Sequence, residues 1–472
     1  MALDTPERTT IGEASVAELA EGVRGDVLTP GDDGYDAAAS RVWNGMYTDR
    51  HPAVIVRCHG AADVVAAVRF ARSNGLEIAV RGGGHSVPGF SATDGGMLIE
   101  LNPMKAVIVN AEQRTAIAQA GCNWSDVDRE TQAFGLAVTG GLISTTGVAG
   151  FTLGGGIGWL MRKHGLACDN LLAADVVTAD GRLVRASADE NPDLFWALRG
   201  GAGNFGIVTA FEYQLHPVGP VLFAGPKFYA GDRIPEVVRW YDDWVAAGLP
   251  DEMTTFCNVA LAPPAPFLPP EVHGKPMVAL IVVHAGPIEE GERLVAGMAD
   301  LGEPIVDLMG PMPYTVVNSL LDDLYPFGIR SSMRAGYMNE VSDDAIAIMA
   351  DALTKAQTPF ADVHIQHLEG AVASVPADAT AFGDRSARYS LNLVSCWMDA
   401  GQDDAGVQWG RDTLAALEPF TTGGVYSNFM GREGADRARA TYGDKYDRLS
   451  KIKREWDPDN VFHLNQNIEP AV

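Results

Sequence analysis

Two glycine-dense segments contain the residues whose types and spacing point most clearly to chemistry. The first, RGGGHS (residues 81–86), follows a strand-like run, and the second extends over residues 140–158. Glycine has no Cβ, so the backbone amides of such loops can approach a ligand closely and form an anion-binding concavity. In a chain with 61 acidic against 35 basic residues, fixed amide dipoles suit a bound diphosphate better than surface lysines do. The two segments therefore indicate a phosphate-binding surface, with tight turns as the alternative role of their glycines.

Two other patterns imitate known motifs without meeting their structural requirements. Gly201, Gly203 and Gly206 match the GxGxxG string of dinucleotide-binding folds, but that motif follows a strand and opens a helix. Here a helix-like PDLFWALRG precedes the glycines and a strand-like IVTAFEYQL follows them. GHSVP (residues 84–88) resembles a hydrolase nucleophile elbow, yet proline replaces the glycine required at its fifth position. The sequence thus disfavours a Rossmann fold and acyl-transfer chemistry.

Charge and hydropathy disfavour several classes of partner. The formal net charge of −26 repels phosphate backbones and anionic lipid headgroups, so neither nucleic acid nor a membrane is expected as a partner. No uncharged run approaches the roughly 20 residues that span a bilayer. The first residues lack the basic and apolar regions of an export signal, and we therefore expect a cytoplasmic protein.

The cysteines and histidines do not form a metal-binding pattern. The five cysteines are widely scattered without a CxxC pair, which indicates buried, reduced thiols. His364 and His367 form the closest histidine pair, but they lie in a strand-like stretch, where a spacing of three places side chains on opposite faces. No metal site is expected.

The elements that position these residues change character near residue 220. Before it, strand-like AVIVRCHG, helix-like DVVAAVRFARSNG and strand-like EIAVRGGG alternate in the manner of an α/β unit. After it, strands such as MVALIVVHAG and RYSLNLVSCW, separated by helices, indicate an α+β unit. Towards the end, the chain has a helix, a proline-bounded stop and an extended tail.

Several motifs at compatible spacing carry a family resemblance. They are RGGGHS with the following GFSATDGGMLIEL, then GLAVTGG, GGIGWLMRKHGLACDNLLAADVVTADG, NPDLFWALRGGAGNFGIVT and FHLNQNI. Together they resemble the FAD-linked oxidases of the berberine bridge enzyme type, in the vanillyl-alcohol oxidase superfamily, and bacterial members in particular. The resemblance covers residues 40–217 and 420–470, with weaker matches between them.

The resemblance implies an α+β fold with a PCMH-type, two-part FAD-binding domain and an α+β substrate domain built on an antiparallel sheet. By this matching, residues 1–219 form the FAD-binding domain, with its core from about residue 49. Residues 220–420 form the substrate domain. Residues 421–472 return to complete the FAD-binding domain.

The same resemblance implies covalently bound FAD. In this family the histidine of the RGGGH-type loop bonds to the flavin 8α-methyl carbon, and the matching residue is His85. Many relatives add a second bond from a cysteine, but Ile143 occupies that position, so a histidyl link without a cysteinyl link is expected. The other residues that the matching places around FAD are Arg81, Gly83, Gly84, Ser86, Thr145, Thr146, Gly147, Gly150, Gly155, Ile207, Val208, Asn465 and Asn467.

Enzymes that resemble this chain oxidise an alcohol, an amine or an activated C–H bond, as in a phenolic or polycyclic compound, by hydride transfer to flavin N5. A base removes the proton from oxygen or nitrogen. The matching assigns Asn392 to substrate orientation and Tyr426 to the role of base, provided a cation or hydrogen bonds lower its pKa from about 10. A packed core aromatic is the alternative role of Tyr426. Tyr389, Tyr442 and His367 are reserves.

The expected electron acceptor is O2, which yields H2O2. Thr146 matches the family position beside the oxygen-reacting face of the flavin, where a small side chain leaves a path open, and a turn-capping hydroxyl is its alternative role. A dehydrogenase, a tailoring oxygenase and a flavin-retaining binding protein are the alternative functions. The substrate is expected to be a small molecule, with the acidic surface favouring a cation and Asn392 and Tyr426 suiting an alcohol or phenol. The protein is expected to be a monomer or a homodimer.

Overall fold

The computed structural model describes residues 12–472. It contains a four-stranded, a five-stranded and an eight-stranded sheet, together with a two-stranded ribbon of Leu136–Ala137 and His216–Pro217. Helices cover these sheets, so the α+β fold class expected from the sequence is confirmed. The α-helices are Glu13–Gly22, Tyr35–Ala39, Ala61–Ser73, Trp124–Gln132, Val148–Leu153, Met161–His164, Pro192–Leu198, Ile234–Ala246, Ile288–Val295, Tyr314–Val317, Asp343–Lys355, Gly370–Ser374, Asp403–Leu417, Ala435–Tyr442 and Tyr446–Trp456.

The four-stranded sheet positions the RGGGHS loop. Its strand Met97–Glu100 lies parallel between Val54–Arg57 and Ile78–Arg81, and Val27–Leu28 pairs antiparallel at one edge. Parallel strands require a crossover, and helix Ala61–Ser73, which has a buried apolar face, connects the two strands that flank Met97–Glu100. Because Ile78–Arg81 leads directly into the glycines, the loop lies at the carboxyl edge of the parallel strands.

The five-stranded sheet is antiparallel and follows the first sheet along the chain. Helix Pro192–Leu198 precedes the GGAGNFG glycines and strand Ile207–Gln214 follows them, as the sequence indicated in disfavouring a Rossmann arrangement. Apolar residues from this sheet and from the four-stranded sheet share one hydrophobic core. In spatial order, the strands are Val107–Asn110, Thr115–Gln119, Ile207–Gln214, Leu171–Val177 and Leu183–Ser187.

The eight-stranded sheet is entirely antiparallel. Its strands are mostly eight to ten residues long. The short strand Gly310–Pro313 pairs with one end of Val221–Ala230. In spatial order, the remaining strands are Val306–Asp307, Val221–Ala230, Pro276–His284, Met253–Leu261, Phe360–His367, Tyr389–Trp397 and Arg330–Met338.

The two faces of this sheet have different partners, as the strand Phe360–His367 shows. Its side chains alternate between the faces with a period of two. Val363 and Ile365 join an apolar core with four helices, whereas Asp362, His364 and Gln366 belong to the opposite face. At this strand the sheet thus presents a polar face away from its helices. The four helices of that core are Ile234–Ala246, Ile288–Val295, Asp343–Lys355 and Asp403–Leu417.

The segment after residue 440 packs against the core of the first two sheets. Helix Tyr446–Trp456 contributes Leu449 to that core, and the irregular segment that follows contributes Phe462 and Ile468. Beside them Lys453 Nζ lies 2.6 Å from Asp457 Oδ2, with both side chains fully buried. The domain boundaries at residues 219 and 420 stay a prediction, and residues 1–11 of the first predicted domain lie outside the described part of the chain.

Among residues 12–472, no helix is both long and apolar enough to cross a membrane. His364 and His367 face opposite sides of their strand, as expected, since His364 lies on the polar face and His367 contacts Arg162.

Candidate active site

A large cavity lies between the glycine segments and the polar face of the eight-stranded sheet. Its volume of about 330 Å³ lies within the range of about 300–1,000 Å³ that is typical of small-molecule pockets. Twelve of the predicted site residues line it, so they come together in space although they are distant in sequence. These are Gly83, Gly84, His85, Ser86, Thr146, Gly147, Gly150, Ile207, Val208, Asn392, Tyr426 and Asn465.

Four predicted residues, Arg81, Thr145, Gly155 and Asn467, are not found on the cavity wall. The Arg81 guanidinium is fully buried and donates hydrogen bonds to the backbone carbonyl oxygens of Ala38, Ala39 and Ser91. Of these three residues, Ser91 lines the cavity. Gln466, beside Asn465, lines the cavity in place of Asn467, because the chain bends at residues 464–466. The hydroxyl of Thr145 contacts the imidazole of His85, which does line the cavity. Gly155 lies against the ring of Phe382.

The two glycine segments meet at Gly83 and Gly147. A Cβ added to Gly83 would lie 2.4 Å from the backbone nitrogen of Gly147, so the approach of the two loops requires glycine there. Gly84 follows with a φ of +80°, a left-handed conformation that glycine adopts without steric cost. These two positions explain why the loop before His85 consists of glycines.

His85 lies at the end of this loop between two aromatic rings. Trp43 stacks on it with ring centroids 5.4 Å apart, and the edge of Phe327 meets it at 5.1 Å. Its Nε2 lies 2.9 Å from Thr145 Oγ1. Burial and the positive charge of Arg41 lower the pKa of His85 to about 3. The imidazole is therefore neutral near neutral pH, with a lone pair available on one nitrogen.

The polar face of the large sheet supplies uncharged groups to the cavity. Gln366 and Asn392 line it, and Asn392 lies opposite His364 in the strand register. Both amide atoms of Gln366 and the Oδ1 of Asn392 are buried without a hydrogen-bond partner among the described residues. Unpaired buried amides cost free energy, so these groups are suited to a bound polar molecule.

A further group, missed from the sequence, occupies the same face. His364 lines the cavity, and its Nε2 lies 2.6 Å from Asp362 Oδ2. Tyr325 Oη donates to the same carboxylate oxygen at 3.2 Å and also lies on the cavity wall. From the sequence alone, His364 is weighed only as a metal ligand, together with His367, and is assigned no other role. The alternation D-x-H-x-Q in ADVHIQHLEG could have indicated a polar strand face.

Tyr426 lies on the cavity wall next to the glycine segment. Its hydroxyl oxygen accepts hydrogen bonds from the backbone N–H groups of Gly156 and Ile157, at 3.0 and 3.3 Å, and from Asn428 Nδ2 at 2.8 Å. These bonds lower the pKa of Tyr426, but burial outweighs them and raises it to about 12. The lowered pKa that the predicted role as base requires is therefore not found. Tyr426 immediately precedes the 3-10 turn Ser427–Phe429 and does not lie inside a strand.

The remaining features concern the cysteines and metals. Ile143 and Thr146 line the cavity, whereas all five cysteines are buried elsewhere in the described chain. Within residues 12–472, no group of His, Cys, Asp and Glu side chains could hold a metal ion.

Comparison with known proteins agrees with this architecture. A family model described as an FAD binding domain matches residues 52–187, and one described as berberine and berberine-like matches residues 425–469. An FAD-linked oxidoreductase of Dictyostelium discoideum is 31% identical over 460 residues, which cover 96% of this chain and 97% of that protein. The (R)-6-hydroxynicotine oxidase of Paenarthrobacter nicotinovorans is 32% identical over 461 residues, covering 95% and 97%.

Solved structures show the same similarity over the whole chain. The crystal structure of 6-hydroxy-D-nicotine oxidase from Arthrobacter nicotinovorans superposes with a TM-score of 0.86 at 29% identity, covering 95% of this chain and 98% of that one. The BBE-like 1 protein of Physcomitrella patens gives a TM-score of 0.86 at 25% identity, covering 96% and 98%. Sequence, fold and cavity thus agree that this chain belongs to the berberine bridge enzyme-like family of FAD-linked oxidoreductases.

Proposed function

We propose that this protein oxidises a small alcohol, amine or phenolic compound with an FAD that is covalently attached to His85, and that O2 accepts the electrons. The observation that carries the proposal is the shared cavity. A neutral histidine on a glycine loop and a set of unpartnered polar groups on the sheet open into the same space. One wall is suited to holding a cofactor and the other to holding a substrate.

The residues around the glycine segments fit FAD. Gly83 and Gly147 bring the two glycine loops into contact with no side chain between them, and the backbone amides of such loops can bind a diphosphate. Ile207 and Val208 add an apolar wall, which suits an aromatic ring system. At Gly203, a Cβ would lie 3.0 Å from Asn465 Oδ1, so the late segment of the chain also approaches here. FAD, when bound, supplies a two-electron acceptor for hydride.

Covalent attachment is supported by the state of His85. A neutral imidazole is a nucleophile, and burial together with Arg41 keeps His85 neutral. Thr145 and the stacked ring of Trp43 hold its orientation. Because Ile143 offers no thiol and none of the five cysteines lines the cavity within the described chain, the attachment is expected at His85 alone.

The sheet wall supports a substrate with a hydroxyl or amino group. The side chains of Gln366 and Asn392 offer both donors and acceptors without carrying charge. They can therefore pair with an alcohol, a phenol or an amine, and we assign Asn392 to orienting that group. Tyr426, whose hydroxyl oxygen already accepts three hydrogen bonds, shapes the space between this wall and the glycine segment.

An anaerobic reduction screen tests the proposal. Purified holoenzyme is mixed without oxygen with (R)-6-hydroxynicotine, D-glucose or 1,5-dihydroxynaphthalene, representing amines, sugars and polycyclic phenols. We expect at least one of these classes to bleach the yellow flavin absorbance, and readmitted air to restore it with formation of H2O2. A flavin that no compound class bleaches would contradict the oxidoreductase function. Bleaching without peroxide would place the electrons with another acceptor.

A further inference from the structure

Two polar side chains on the strand Phe360–His367 have no role in the function proposed above. Asp362 and His364 stand two residues apart on its polar face, joined by a 2.6 Å contact between Oδ2 and Nε2. We propose that His364, held by Asp362, is the base that accepts the substrate proton during oxidation. This inference rests on the proposed function, because it names the residue that serves the same reaction.

The hydrogen bonds assign the free nitrogen of His364. A carboxylate only accepts hydrogen bonds, so Nε2 carries the proton that is shared with Asp362. The other nitrogen, Nδ1, has no hydrogen-bond partner among residues 12–472. Because the side chain lines the cavity, the lone pair of Nδ1 is available to a ligand there.

Tyr325 fixes the carboxylate from a separate part of the chain. Its hydroxyl donates to Asp362 Oδ2 at 3.2 Å, and its backbone carbonyl accepts a 2.9 Å hydrogen bond from the indole nitrogen of Trp43. Trp43 in turn stacks on His85. The pair is therefore built into the same structure that holds the cofactor loop, and Asp362 and Tyr325 act as positioning residues.

The groups around the pair leave Asp362 as its charged partner. The Tyr325 hydroxyl contacts Asp362, and the thiols of Cys257 and Cys396 lie near enough to interact with its charge; burial raises the pKa of all three groups. The neighbouring strands present the uncharged Asn258 and Asn392 opposite His364. A carboxylate beside an imidazole stabilises the imidazolium form, so the pair is suited to taking up a proton.

The register also brings His364 to the group that orients the substrate. His364 and Asn392 are directly opposed on adjacent antiparallel strands, where Cβ atoms lie about 4.5–5.5 Å apart. A hydroxyl or amino group that pairs with Asn392 is then within reach of His364. In an alcohol or amine, its O–H or N–H proton would pass to Nδ1, bound FAD would accept the hydrogen of the adjoining C–H as hydride, and a carbonyl or imine would result. The proton leaves the imidazolium for solvent after the product departs.

The test compares His364→Gln, Asp362→Asn and Tyr426→Phe with wild type, and uses His59→Gln, at an exposed position outside the cavity, as the matched control. Each holoenzyme is mixed anaerobically in a stopped-flow instrument with (R)-6-hydroxynicotine or D-glucose, whichever reduces the wild type. Reduction of the wild type by 1,5-dihydroxynaphthalene alone would overturn the proposal, because that compound has no C–H beside its hydroxyl groups. We expect His364→Gln to reduce its flavin about 10²- to 10⁴-fold more slowly, the usual contribution of a general base, with the concentration dependence little changed. His59→Gln should behave like wild type.

Added imidazole distinguishes a proton acceptor from a structural residue. In His364→Ala, millimolar imidazole should restore part of the reduction rate, because the small base can occupy the vacated space. A slow variant that imidazole does not rescue, or a His364→Gln as fast as wild type, would overturn the proposal. A large decrease in the reduction rate of Tyr426→Phe, together with a normal rate for His364→Gln, would also overturn it and would assign the role of base to Tyr426. Failure of the wild type to be reduced by any of the compounds would count against the proposed function itself.

A second measurement is independent of turnover. Holoenzyme with ¹⁵N-labelled histidine is observed by NMR, and the His364 signals are identified by their loss in His364→Gln. We expect the proton of the neutral imidazole on Nε2, because that nitrogen contacts Asp362 Oδ2 and a carboxylate only accepts hydrogen bonds. A neutral His364 with its proton on Nδ1 would overturn the proposal, since Nδ1 would then have no lone pair for the substrate proton.

Discussion

Two histidines on different walls of the cavity differ in their electrostatic surroundings. His85 lies beside the positive charge of Arg41, and burial helps to hold its pKa at about 3. His364 lies beside the carboxylate of Asp362. A positive neighbour disfavours the protonated imidazole and a negative neighbour favours it. These opposite surroundings are consistent with the proposed attachment of a cofactor at one wall and the proposed proton transfer at the other.

The first prediction at this scale concerns the proposed bond to His85. Acid-precipitated wild-type protein should remain yellow, whereas His85→Ala should release its FAD on the same treatment, because the nucleophile is gone. His59→Ala, at an exposed site, should retain the colour. Peptide mapping by mass spectrometry should find the flavin on the His85 peptide and on no other. Release of all FAD from the wild type would contradict the covalent attachment.

The second residue-scale prediction concerns Thr146. If its small side chain leaves a path to the flavin open, Thr146→Leu should slow reoxidation by O2, because the added bulk fills that path. Anaerobic reduction by substrate should change little, and Thr146→Ser should reoxidise like wild type. Stopped-flow reoxidation of the reduced enzymes is the measurement. Equal rates for Thr146→Leu and wild type would leave Thr146 with the turn-capping role alone.

The sequence does not show which face of a strand lines the cavity, and this limits the prediction of individual site residues. The glycine loop with His85 could be identified because its residue types and spacing are local features of the chain. His364 could not, because its role depends on which face of the strand is covered by helices and which residue lies opposite in the sheet. The role as base predicted for Tyr426 depended on its pKa, and the sequence does not reveal how strongly burial raises that pKa.

At the scale of elements, the meeting of the two glycine segments governs the shape of the cofactor wall. Gly83→Ala would place a methyl group 2.4 Å from the Gly147 nitrogen, so the loops must separate. We expect this variant to contain markedly less FAD after purification, measured as the ratio of absorbance near 450 nm to that at 280 nm. Gly60→Ala, where a Cβ meets nothing within 4 Å, is the matched control. Full FAD content in Gly83→Ala would contradict a role for this contact.

Elements themselves were more predictable than their arrangement. Helix Ala61–Ser73 and strands Ile78–Arg81 and Tyr389–Trp397 lie where periodicity placed them, because period and flanking residues are local. The spatial order of the eight-stranded sheet was not accessible in the same way. It places Phe360–His367 between Met253–Leu261 and Tyr389–Trp397, and such long-range pairings leave no local signature in one sequence.

At the scale of the whole molecule, a buried ion pair anchors the late segment of the chain. Lys453 and Asp457 have fully buried side chains, and Asp457 also accepts from the backbone N–H groups of Val461 and Phe462. Removing one partner leaves an unpaired buried charge, so Asp457→Ala should lower the free energy of unfolding by about 3–5 kcal/mol. Asp459→Ala, which breaks a pair whose carboxylate is 63% exposed, should cost about 0–1 kcal/mol. Thermal unfolding of the two variants gives the comparison, and equal midpoints would contradict the anchoring role.

The order of the chain imposes an order on assembly during synthesis. The glycine segments that face the cofactor emerge from the ribosome early, but Asn465 and Gln466 on the same cavity wall are translated more than three hundred residues after His85. In a nascent chain that pauses before residue 461, the cavity wall is incomplete, and the adjoining hydrophobic core lacks Phe462 and Ile468. The cavity wall is therefore completed late in synthesis, and we expect stable flavin binding to follow its completion.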